Sequence, residues 1–414
     1  MPRPPLSCPP PESLPGKPTR FNTKFRITTF RMCGGVEPGL PDPVTPIRVP
    51  ALRGQLRFWW RAVFASRFPD AAALKTAEDR LWGCTEAASA LRFYVHSCIE
   101  LRELTRPASR PGDRRTIPEE PSFALFPAQQ DPKKIGKLSN PGTEFELEVA
   151  FKNEDAKNQV IPALFATANF GGYGARSRRG CGAFFNPHFV GDLVNQPVEV
   201  ALQYLQKSFQ LSGSQNQTPN QARDWPSLKL ASIILGPKIL GVQEAWQEAI
   251  KLYRLFRQDR PPGQSGRPGR SRWPEPDSIR LERGTYAPQH PPRIVTRDFP
   301  RAILGLPIIF HFKDDGEPAD QSLEPNDPSG TGGRLASPVI IKPFMVSPTH
   351  AHPMILRLHS NLLTPHSLLR NRLDTLCLKQ SRTDSLTVGI GPRSADEKFL
   401  RFAENSWHVK RVSL

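Results

Sequence analysis

The sequence predicts an α+β fold in more than one domain, and three observations carry that prediction. A chain of 414 residues exceeds the usual single-domain size, and 38% apolar content is enough for more than one core. Along the first half the hydrophobic period switches repeatedly between two and 3.6 residues. Disorder throughout is thereby excluded. Residues 1–18 are the exception: Pro-rich and poor in apolar side chains, they read as a disordered tail, with order beginning near Thr19.

Phe21, Thr23, Phe25, Ile27 and Thr29 alternate with Asn22, Lys24, Arg26 and Thr28, the period of a half-buried strand. Residues 51–68 change to helical spacing, with Leu52, Leu56, Trp59 and Val63 on one stripe. Alternation returns over 91–101 and 145–151. Residues 160–170 read as a second helix that has Pro162 in its first turn and Gly171 as its stop, and 181–190 as a short aromatic strand. The order strand, helix, strand, strand, helix, strand is the split βαβ of a ferredoxin-like or RRM-type domain, placed at 19–195. Two helices would cover one face of a four-stranded sheet and leave the other open to a ligand. An insertion over 102–140 carries Arg106, Arg110, Arg114, Arg115, Lys133, Lys134 and Lys137, and its length and charge mark a binding element.

Residues 196–350 read as a second, more decorated α+β domain. Val242, Ala245, Trp246, Ala249, Ile250, Tyr253 and Phe256 mark an amphipathic helix, and 228–235 and 338–346 are apolar enough for strands. Residues 257–297 form an Arg/Pro/Gly-rich loop, and 316–333 a polar, Gly/Pro-rich one. Residues 351–414 have no strong period and are set apart as a C-terminal extension.

The balance of 56 Lys+Arg against 39 Asp+Glu, a net charge of +17, points to a polyanionic partner: nucleic acid first, an anionic membrane surface second. The six cysteines are scattered without C-x-x-C spacing, so neither a zinc ribbon nor a disulfide framework is expected, and a reducing cytoplasm fits. No apolar run approaches roughly 18 residues and the first 17 residues lack an apolar signal core, so neither a membrane span nor secretion is expected.

Two segments carry candidate chemistry. In the first helix Arg53, Arg57 and Arg61 stand at i, i+4 and i+8, where each like-charge pair is unfavourable by about 0.2–0.5 kcal/mol unless an anion faces it. That anion is either a nucleic acid or acidic partner, or carboxylates of the chain such as Glu78 and Asp79. Trp59 joins the core stripe, which leaves Trp60 as the candidate for stacking on a base. In the second segment, FGGYGARSRRGCG, glycines Gly171, Gly172, Gly174, Gly180 and Gly182 surround Arg176, Ser177, Arg178 and Arg179. Backbone N–H groups freed by glycine, together with guanidiniums, can cradle phosphate; a purely structural tight turn is the other reading. The spacing is neither a Walker loop nor a dinucleotide fingerprint.

IRVPALRGQLRFWWRA, EDRLWG and GGYGARSRRGCG together resemble the RAMP superfamily of CRISPR proteins, and look like the first RAMP subunit of type III-B (Cmr) effector complexes. Cys181 and Trp82 depart mildly from that pattern. The resemblance implies two ferredoxin-like domains with long basic insertions and no cofactor. It further implies a cytoplasmic, non-catalytic RNA-binding and assembly subunit in antiviral defence. Its partners would be the 3′ side of crRNA, the crRNA–target RNA duplex and neighbouring RAMP subunits of the Cmr complex. Arg53, Arg57, Trp60, Arg61, Gly171, Gly172, Gly174, Arg176, Ser177, Arg178, Arg179 and Gly180 would be the RNA contacts.

Two rivals stand beside this reading. Asp42, in the loop before the first helix, is where RAMP subunits that cut target RNA carry an aspartate, which would make the chain a metal-dependent endoribonuclease; Asp42 before Pro43 is equally a turn former. A protein-binding scaffold whose arginines meet acidic surfaces is the other. His350 and His352 lack carboxylate or cysteine partners in sequence and read as an exposed loop, with no metal expected.

Overall fold

The structure, a computed structural model, describes residues 19–32, 42, 44–99, 104–105, 123–125, 138–190, 193, 196–211, 225–258, 260–261, 269–325, 334–359, 375–380, 385–389 and 395–414. The first sheet runs β3 (Leu91–Ile99), β6 (Glu144–Phe151), β1 (Thr19–Ile27), β7 (Phe184–Phe185), every neighbour antiparallel. In chain order that is second, third, first, fourth. Helix α1 (Val49–Phe64) follows the first strand and α3 (Glu154–Phe170) the third, with α2 (Ala71–Trp82) beside α1. Phe25 and Phe145, paired in register, stack at 5.3 Å beneath these helices. Beside this sheet, β2 (Arg31–Met32), β5 (Leu138–Ser139) and β4 (Leu104–Thr105) form a small one.

Two local expectations are corrected. Helix α3 starts two turns before residue 160, because Asn153 caps it by accepting the Ala156 N–H at 2.9 Å and Glu154 and Asp155 favour the positive end of its dipole. Pro162 therefore lies in the helix interior; the carbonyl left without its donor belongs to Asn158, an exposed residue open to water. The strand expected over 181–190 is limited to Phe184–Phe185. Pro187 has no N–H for a ladder and opens a 3₁₀ turn, while Asn186 and Thr23 bond side chain to side chain at 2.8 and 3.1 Å.

The second half repeats the pattern. Its sheet runs β12 (Val339–Met345), β13 (His350–His359), β8 (Ser227–Leu235), β16 (Val412–Ser413), with β9 (Leu240–Gly241) against β13, again second, third, first, fourth. Helix α5 (Val242–Arg257) follows its first strand and α7 (Ala395–Trp407) precedes its last. Strand β13 crosses the boundary drawn at 350. The described part of 351–414 thus supplies a central strand, a helix and an edge strand of this layer. Helix α4 (Val198–Leu211) connects the halves.

Two segments read as loops hold elements. Helix α6 (Glu275–Arg283) interrupts 257–297, and its buried face is ionic: Glu275 pairs with Arg301 at 3.1 Å, and Asp277 with Arg270 and Arg280 at 2.7 and 2.8 Å. A helix buried through charges shows no apolar period. Strand β11 (Gln321–Pro325) lies within 316–333 and joins β10 (Ile308–Phe310), β14 (Thr375–Lys379) and β15 (Ser385–Gly389) in a further antiparallel sheet.

One core contains Phe25, Leu56, Trp59 and Phe170 from the first half together with Leu228, Ile233, Ile340 and Phe344 from the second. A second core gathers Ile234, Val339 and Ile341 with Trp246, Ile250, Phe399 and Trp407. Alternate residues of β8 and β12 thus enter opposite cores. The layers are sheet, α1 with α3, sheet, α5 with α7. A strand covered on both faces loses alternation, which is why β12 is buried throughout and reads as an apolar run broken only by Lys342. From the 102–140 insertion, Ala124 and Leu125 are fully buried in the second core; its basic residues Arg106, Arg110, Arg114, Arg115, Lys133, Lys134 and Lys137 lie outside the described residues.

Candidate nucleic-acid interface

The Arg/Gly loop after α3 is wedged between the two halves, and most of its polar capacity is spent there. The N–H groups of Tyr173, Ala175, Gly180 and Gly182 donate to Gly182, Met32, Ser177 and Phe30 carbonyls at 2.6–3.0 Å. Gly174 (φ +96°) passes so close to the Met32 carbonyl that a side chain would collide with it, and Gly180 (φ +80°) leaves room for the Trp246 indole, which donates to the Arg179 carbonyl at 2.7 Å. Gly171 offers its carbonyl to the buried Lys342 ammonium at 2.7 Å, and Gly172 bridges to Ala183. These glycines serve close packing of the chain on itself, as the tight-turn reading of the loop has it.

Arg178 and Arg179 bond within the chain as well. Arg178 donates to the Ser337 carbonyl and lies over the Phe58 ring at 5.1 Å. Burial, then the charge of Arg179, pushes its guanidinium down to about 10, so it stays charged at neutral pH. Arg179 donates to the Val339 and Leu304 carbonyls at 2.9 and 3.2 Å and to the Tyr253 hydroxyl at 2.9 Å, its guanidinium 4.5 Å from the tyrosine ring. Both clamp the first half to the second.

On α1 the basic row meets an anion of the chain's own. Glu78, buried on α2, receives Arg57 at 2.7 Å and Arg61 at 3.1 Å. Arg53 forms no ion pair among the described residues. Trp60 is 0% exposed, so no base can reach it; its N–H donates to Gln159 on α3 at 3.3 Å and its ring meets Phe64 and Phe68. The error has a physical source. Because α1 lies between two sheets, two of its faces are buried, and only the arginine strip emerges.

Besides Arg53, a cluster at the seam is left without a carboxylate among the described residues. Arg176, held in the left-handed region (φ 58°), makes no side-chain hydrogen bond or ion pair among the described residues, and its Nε is buried without a partner. Such a backbone is strained for a non-glycine residue and persists only where the surroundings impose it. Arg257 reaches the same Tyr253 hydroxyl at 2.9 Å that Arg179 uses. Burial alone would raise the Tyr253 phenol, yet Arg179, Arg257 and Arg176 together draw it below its ordinary value. No carboxylate among the described residues pairs with Arg176, Arg178, Arg179 or Arg257. Guanidiniums converging on a phenol fit an anion with several oxygens. Ser177 opens the 3₁₀ turn next to Arg176. Sequence reasoning missed Tyr253 and Arg257: the first was read as a core residue, the second as the start of a loop.

Other candidates resolve plainly. The open face of the first sheet is matched by its own contacts: Arg20 pairs with Glu148 at 2.5 Å, His96 is hydrogen-bonded to the same carboxylate at 3.2 Å, and Arg26 pairs with Glu144 at 3.7 Å. Asp42 engages both oxygens within its own turn, Oδ1 accepting Val44 and Thr45 N–H and Oδ2 the Thr45 hydroxyl, all at 2.9 Å; these bonds hold its carboxyl below the ordinary value. It builds a turn. His352 is not in an exposed loop but buried in β13, bonded to the Gly236 carbonyl at 2.8 Å and lowered by burial. Among the described residues no helix is long and apolar enough to cross a membrane, and no three His, Cys, Asp or Glu side chains are grouped to hold a metal ion.

Residues 24–184 match the RAMP superfamily. Two curated relatives from Pyrococcus furiosus, the CRISPR system Cmr subunits Cmr1-1 and Cmr1-2, are each 27% identical to this chain. The first likeness covers 33% of this chain and 39% of the relative, the second 32% and 79%, so the chain spans well under half the length of Cmr1-1. The crystal structure of apo Cmr1 from the same organism shares the fold, with TM-score 0.52 and 15% identity over 95% of this chain and 98% of that one. Residues 24–184 thus resemble the RAMP superfamily, the chain is similar in part of its sequence to the Cmr1 subunits, and it shares the fold of one of them.

Proposed function

We propose that the chain is a non-catalytic RNA-binding and assembly subunit of a type III-B CRISPR (Cmr) ribonucleoprotein. It is built of two ferredoxin-like RAMP domains and contacts the 3′ side of crRNA or its duplex with target RNA, and neighbouring RAMP subunits. The twice-repeated strand order supports the domain reading, and the relatives' names supply the Cmr system. The observation that carries RNA binding is the seam cluster, where Arg176 and Arg257 converge without a carboxylate and await an anion. A net charge of +17 adds the long-range attraction. Asp42, spent on its turn, is given no catalytic part.

The test is RNA binding by the full chain across a salt series. Replacing Arg176 and Arg257 by alanine should weaken binding to unrelated single-stranded sequences alike and flatten the salt slope by about 0.7 per lost phosphate contact. An unchanged slope would overturn the site. With Mg²⁺ or Mn²⁺ present the RNA should stay intact; cleavage by the wild type that Asp42→Ala abolishes would establish the endoribonuclease instead.

A further inference from the structure

Of the seven tryptophans, Trp59, Trp60, Trp82, Trp246, Trp273 and Trp407 are at most 8% exposed, whereas Trp225 is 38% exposed. It stands two residues before Ser227, the first residue of β8, which donates to the Ala62 carbonyl at 3.4 Å and so seats the strand on the end of α1. There the Arg61 guanidinium lies 5.1 Å from the indole centroid, holding one face of the ring. Arg61 shares Glu78 with Arg57, and Arg53 stands one turn further along. Three guanidiniums are thus matched by one carboxylate, and the row ends at an exposed flat apolar surface. Phe58, next to Arg57 in the chain, lies under Arg178, so α1 also meets the Arg/Gly loop.

We infer that Trp225 is the base-stacking end of the RNA path, taking an unpaired base of single-stranded RNA on the face of its indole turned away from Arg61. The inference rests on the RNA-binding reading and adds a second subsite to it. Excess positive charge attracts phosphate, and a ring fixed in plane by a guanidinium stacks any base, since every base has a π-face. An acidic protein surface would engage the arginines but has no group that needs the free indole face.

The full chain is titrated with a short single-stranded oligoadenylate. Trp225→Ala should bind about tenfold more weakly with an unchanged salt slope, because a stacking contact is lost and no phosphate contact is. Trp225→Phe should keep most of the affinity. Oligoadenylate should quench the solvent-exposed part of the wild-type tryptophan emission, and Trp225→Phe should remove that quenched component. Wild-type affinity in Trp225→Ala, or exposed emission indifferent to RNA, overturns the inference, as does full RNA affinity alongside lost binding to a purified partner subunit. Failure of the wild type to bind RNA in a salt-dependent manner would instead sink the proposed function itself.

Discussion

Replacing Lys342 by methionine tests the seam directly. The Lys342 ammonium is 0% exposed and donates to the Gly171 carbonyl at the C-terminal end of α3. Burial pulls it from 10.5 to about 7. The sign follows from linkage: between pH 7 and 10.5 the unfolded chain holds a proton that the folded chain has released, so wild-type stability rises with pH across that window. The burden on the folded state is about 4 kcal/mol at pH 7 and about 2 kcal/mol at pH 9, and disappears above pH 10.5. Methionine removes the burden and leaves the carbonyl unmatched, which costs about 1–3 kcal/mol at any pH. The absolute effect depends on both terms, but its slope depends only on the first. Urea unfolding of both proteins should therefore show the variant losing about 2 kcal/mol relative to wild type between pH 7 and 9. A difference that stays flat with pH would refute the reasoning, and would mean that the negative end of α3 holds the ammonium charged through the window.

Two further outcomes follow from the same seam and from the α1 face. Gly180→Ala places a side chain against the Trp246 indole at a backbone φ of +80°, and should lower stability by about 2 kcal/mol or more; an unchanged urea midpoint would show that the wedge is not needed. Glu78→Gln removes the charge shared by Arg57 and Arg61. It should lower stability by about 1–3 kcal/mol while tightening RNA binding at low salt, and equal affinity would remove the α1 face from the RNA path.

The first four-stranded layer was legible because its strands are half-buried: Phe25, Ile27, Leu147 and Val149 alternate with charged neighbours, and Leu52, Leu56, Trp59 and Val63 recur at helical spacing. The Arg/Gly loop was visible as a segment of unusual composition. Its role was not, because the carbonyls of Ser337, Val339 and Leu304 that receive Arg178 and Arg179 come from more than 120 positions away. Helix α6, buried through Glu275, Asp277 and Arg280, carries no apolar period to read. Local pattern depends only on how each residue meets its own element, and that much the chain states residue by residue. Which arginines find carbonyls, which find Glu78, and which are left facing one another at Tyr253 depends on stacking one sheet against the helices of the other. That stacking buried Trp60 and left Trp225 exposed.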